Sequence, residues 1–125
     1  MSRVSEFKLS SRNESDVVVT IAFERPTPVV RGQDIGALKN IFEGRRNREH
    51  RYPNIRRFEM VRTTLEYAES LKGTCKEMFN QGSDLNLVLR FESEENRKEF
   101  YEGIFDFVLK SLHDLNRNLK KRGLK

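Results

Sequence analysis

"VVVTIAFE", Val17 to Glu24, is the stretch on which the fold turns. Five of its eight residues are β-branched, a composition that suits a pleated backbone better than a helix. Val17, Val19, Ile21 and Phe23 fall on one face of such a strand, and that face is wholly apolar. Upstream, Phe7 and Leu9 alternate with polar residues, and the intervening "SSRNESD" (10–16) has turn composition. The two segments together predict a hairpin. Downstream, Pro26 and Pro28 stop any regular sheet, leaving Val29 and Val30 as a stub of extended chain.

A second strong strand lies far along the chain. In "DLNLVLRFE" (84–92), Leu85, Leu87, Leu89 and Phe91 alternate with other residues. Between the strands the period changes. "QDIGALKNIFEG" (33–44) places Ile35, Leu38, Ile41 and Phe42 on one side, with Gly44 where a helix C-terminal glycine belongs. Pro53 and Asn54 mark a new start. From there Phe58, Val61, Leu65, Ala68, Leu71 or Lys72, Cys75 and Phe79 keep helical spacing, which predicts a helix over about 54–80. Gly73 weakens its centre and marks a kink or break, and Gly82 closes it. The last segment predicts a helix over about 94–121, with Ser93 as N-cap, Glu94 and Glu95 at the positive end of the dipole, and Lys120, Lys121 and Arg122 at the negative end.

The expected architecture is therefore α+β. A small antiparallel sheet of about three strands, the N-terminal hairpin plus strand 84–92, is packed by two long helices on one face. With 125 residues, the chain 1–125 is expected to be a single domain. The final helix is unusually apolar. Phe100, Ile104, Phe107, Leu115 and Leu119 form one stripe, and Tyr101, Phe105, Val108 and Leu112 form a second beside it. One stripe faces the body of the protein. The second is either buried in the same core or serves as an interface in a homo-oligomer.

Several function classes lack their residues. One cysteine cannot make an internal disulfide, and "MSRVSEFKLSS" carries no apolar signal core, so a cytoplasmic protein is expected. No apolar run of membrane-spanning length occurs, so no membrane partner is expected. Metal-binding, Walker and dinucleotide-binding patterns are missing, and neither a metal nor a cofactor is expected. Cys75 falls on an apolar stripe and reads as a packing residue rather than a nucleophile. His113 lies near the basic end of the last helix. Glu95, Glu99, Glu102 and Asp106 read as a solvated acidic face, not as an acid–base pair. The protein is thus expected not to be an enzyme.

What remains is charge. The chain carries +5, and its placement is uneven. Residues 1–43 balance; 58–115 carry seven basic and twelve acidic groups; 116–125 carry five basic groups and no acid. Residues 44–57, "GRRNREHRYPNIRR", hold six arginines against Glu49, and no lysine. A planar guanidinium grips phosphate or carboxylate through two bonds at once, whereas lysine offers a point charge. Arg45, Arg46, Arg48, Arg51, Arg56 and Arg57 are therefore the candidate phosphate-binding residues. Tyr52 is the candidate ring for stacking on a base, and His50 is a further candidate among the arginines. These residues point to a nucleic-acid-binding protein. The same groups also suit an oligomer that holds a small phosphorylated ligand, such as a nucleotide, between subunits. A third reading is a protein–protein adaptor whose basic and acidic blocks pair.

Overall fold

The computed structural model of the chain describes residues 5–23 and 52–121. Six elements follow in order: β1 (Phe7–Ser11), β2 (Asp16–Ala22), α1 (Tyr52–Ser70), β3 (Gly73–Gln81), β4 (Asp84–Phe91) and α2 (Glu94–Lys121). The strands form one sheet in the order β1-β2-β4-β3, with every neighbouring pair antiparallel. β2 and β3 consequently run in the same direction, with β4 inserted between them. The protein is α+β, an antiparallel sheet with two helices packed on it. The helix expected over 33–44 lies outside the described residues.

The hairpin forms where the sequence predicts it. In its turn the Asn13 Oδ1 atom accepts the backbone N–H groups of Ser15 and Asp16, both at 2.8 Å. A short side chain thus holds the chain reversal that the polar composition signals. Val17, Val19 and Ile21 point to one face, opposite Leu89, Leu87 and Leu85 on β4, and all six are fully buried. Phe58, Val61, Leu65 and Ala68 from α1 and Phe100, Ile104, Val108 and Leu112 from α2 close the same core. Both helices therefore lie on one side of the sheet.

The sheet, expected to have about three strands, has four, and one expectation needs correction: the first long helix ends at Ser70 instead of continuing to about 80, and the fourth strand comes from the chain that follows it. Lys72 takes the left-handed conformation (φ 62°) that ends the helix, and its N–H donates to the carbonyl of Glu69. Gly73 is required next because a Cβ there would stand 2.5 Å from the ring of Phe91 and 3.0 Å from the carbonyl oxygen of Ala68. The chain then returns as β3, and Gly82 (φ 64°) makes the tight turn into β4. The helical spacing of Cys75 and Phe79 is not kept in the strand: Cys75, opposite Leu89, faces the helices, whereas Phe79, opposite Asn86, lies on the other face. The register slips between Cys75 and Glu77, and this bulge interrupts the alternation by which a strand is recognised.

The second helix agrees with its reading. Ser93 Oγ accepts the N–H of Asn96 at 3.1 Å, as an N-cap does. Its second apolar stripe is largely intramolecular. Val108 and Leu112 are in the core, and Phe105 meets the ring of Phe7 edge-on at 5.4 Å. Tyr101, 37% exposed, remains outside, as does Phe107 of the first stripe, 38% exposed.

Candidate anion-binding segment

The arginine run leads directly into α1. The helix begins at Tyr52, with Pro53 in its first turn, where a proline's missing N–H has no partner to lose. Arg56 and Arg57 stand on the next turn, and both are half-buried. Arg45, Arg46, Arg48, His50 and Arg51 lie outside the described residues. The first turn of α1 holds no acidic residue, so nothing on the helix itself offsets the positive end of its dipole.

Further along α1 the charges are neutralised internally. Arg62 donates through Nη1 to Glu66 Oε2 at 2.7 Å and through Nε to Glu59 Oε1 at 3.3 Å, and its Nη2 also contacts Glu59. Glu59 is buried and accepts a hydrogen bond from Ser111 Oγ of α2 at 2.6 Å. The carboxylate at Glu59 raises the pKa of Arg62 further above its usual range. This cluster joins the two helices. The i,i+3 and i,i+4 spacing of Glu59, Arg62 and Glu66 was a signal for it in the sequence; the Ser111 contact, 52 residues away, had none.

The side chains considered for catalysis lie elsewhere in the fold. Cys75 lies on β3, not on a helix as expected, and is half-buried against α1. Burial pushes its thiol up to about 11, which opposes formation of a nucleophilic thiolate at neutral pH. Glu95, Glu99, Glu102 and Asp106 are all exposed on α2, as is His113. Among the described residues no group of three or more His, Cys, Asp or Glu side chains is placed to hold a metal ion. Among them, too, no helix is long and apolar enough to cross a membrane.

A second ionic arrangement has no signal in the sequence. On the face of the sheet away from the helices, Arg90 Nε donates to Asp16 Oδ1 at 2.8 Å and Arg90 Nη2 to Asp16 Oδ2 at 3.2 Å. These residues are directly opposite one another across β2 and β4. The Arg90 guanidinium, with Asn13 assisting, holds the Asp16 carboxyl below the usual carboxylate range. No family model matches this chain, and neither a curated protein nor a solved structure shows detectable similarity to it.

Proposed function

We propose that this protein is a non-enzymatic nucleic-acid-binding domain. Arg45, Arg46, Arg48, Arg51, Arg56 and Arg57 contact backbone phosphates, and Tyr52 stacks on a base. The observation that carries the reading is the start of α1. The arginine run ends on a helix N-terminus whose first turn holds no acid, so guanidinium groups and the helix dipole attract an anion at the same end. The thiol character of Cys75 supports the non-enzymatic part. A homo-oligomer in the cytoplasm completes the reading. The exposed rings of Tyr101 and Phe107 support self-association, and the lone cysteine supports the compartment.

The test is a filter-binding titration of a long single-stranded oligonucleotide against a mononucleotide, at two salt concentrations. Tighter binding of the long strand, weakening steeply with salt, is the expected result. Tight, salt-resistant binding of the mononucleotide would instead indicate capture of a small phosphorylated ligand. Binding of neither would leave the charge blocks to protein–protein contact.

A further inference from the structure

The helix-free face of the sheet carries a cleft of about 270 Å³, lined by Arg12, Asn13, Asp16, Lys76, Glu77, Val88 and Arg90. Its cations come from three separate segments. Arg12 comes from the turn after β1, Lys76 from the bulge in β3, and Arg90 from β4. They face two carboxylates. Asp16, with its side chain 4% exposed, has both oxygens engaged by Arg90 and one also by Asn13. Its charge is committed to fixing the Arg90 head. Arg90 uses Nε and Nη2 for that clamp, while its side chain stays 49% exposed, so the rest of the guanidinium fork faces solvent in a fixed orientation. Arg12, exposed, lies 4.0 Å from the half-buried Glu77, a loose contact that an incoming anion can replace at little cost. The bulge inserts Lys76 as an extra residue at the rim, a placement that regular pleating would not give.

We infer that this cleft seats a phosphoryl group between the open edge of the Arg90 guanidinium and the Lys76 ammonium, with Arg12 closing from the turn. Three cations from three directions match the three oxygens of a terminal phosphoryl group better than the two of a carboxylate. The inference goes beyond the arginine-segment reading and does not depend on it. The cleft adjoins the strand ends where α1 finishes, whereas the arginines enter at its start. A helix of 19 residues separates those ends by about 28 Å.

The test follows backbone amide resonances during titration with inorganic phosphate at constant ionic strength, with acetate as the control. Saturable shifts at Asn13–Asp16, Lys76 and Arg90 are expected with phosphate, and much smaller ones with acetate. The variants Lys76→Glu and Arg12→Glu alter exposed side chains, and each should weaken the phosphate response by roughly five- to tenfold. Arg48→Lys/Arg51→Lys should leave it unchanged, which separates this site from the arginine segment. An oligonucleotide with and without a 5′-phosphate identifies the source. A preference for the phosphorylated strand is expected, and equal shifts, which would mean that a phosphodiester with two free oxygens suffices, would overturn the match to a terminal phosphoryl group. No saturable shift in the cleft, an equal response to acetate, or a response unchanged in Lys76→Glu would overturn the inference.

Discussion

Tyr67 of α1 lies over Gly103 of α2, its phenol oxygen filling the space where a side chain at 103 would begin. The ring packs on two phenylalanines of α2, stacked on Phe107 at 4.6 Å and tilted against Phe100 at 5.6 Å. A glycine inside a long helix ordinarily weakens it by about 1 kcal/mol relative to alanine. Here it admits the aromatic that joins the two helices.

Gly103→Ala therefore sets helix propensity against a displaced ring. Shifting Tyr67 disturbs two aromatic contacts, each worth about 0.5–1.5 kcal/mol beyond area burial. The expected outcome is a net loss of about 1 kcal/mol in urea unfolding. Tyr67→Phe removes the oxygen that meets the new methyl. The double variant should then recover most of the loss, and strictly additive effects would contradict this account.

The junction between α1 and β3 makes the opposite demand at neighbouring residues. Gly73→Ala drives a methyl into the Phe91 ring and should cost about 1–3 kcal/mol, the range for overpacking. Lys72→Gly relieves a left-handed backbone at φ 62° and should stabilise by about 0.5–1 kcal/mol. Thermal denaturation of the two single variants should move the melting temperature in opposite directions.

Acid stability should depend on Asp16. Its carboxyl titrates below its usual value of 3.8 in the folded protein, chiefly because it accepts hydrogen bonds from Arg90. A folded-state value below the unfolded one adds stability above the unfolded value and loses it as pH falls through the folded value. Wild-type stability should therefore decline below about pH 4. Asp16→Asn should be less stable at neutral pH and should show a shallower decline on the acid side. Parallel acid limbs for the two proteins would mean the contact carries no such linkage.

Cys75 should behave as a packing residue. Its thiol, raised to about 11 by burial, should react slowly with a disulfide reagent at pH 8 in the native state and quickly in denaturant. Cys75→Ala should cost about 1 kcal/mol and leave oligonucleotide binding unchanged. A variant of wild-type stability that had lost binding would show that the thiol has a functional role.

The arginine forks should not be replaceable by lysine. Each lost bidentate contact is worth on the order of 1–3 kcal/mol, so Arg48→Lys/Arg51→Lys should weaken oligonucleotide binding by roughly tenfold or more. Equal affinities for variant and wild type would reduce the arginines to diffuse charge.

Much of the fold was legible because its signals are local. Alternation at Val17–Phe23 and Leu85–Phe91, turn chemistry at Asn13 and the cap at Ser93 each act within a few residues, and each element formed where those signals lie. The uneven charge, with six arginines between Gly44 and Arg57, is likewise a property of the chain itself. Other features required tertiary contacts. Whether 73–81 became helix or strand depended on the free edge of β4, and the bulge at Cys75–Glu77 hid the alternation that would have announced a strand. The Asp16–Arg90 clamp joins residues 74 apart, and the Glu59–Ser111 contact joins residues 52 apart. No period in the sequence encodes such pairs. They arise when the sheet register and the crossing of two helices bring distant side chains together, which is why the cleft on the helix-free face emerged only from the folded chain.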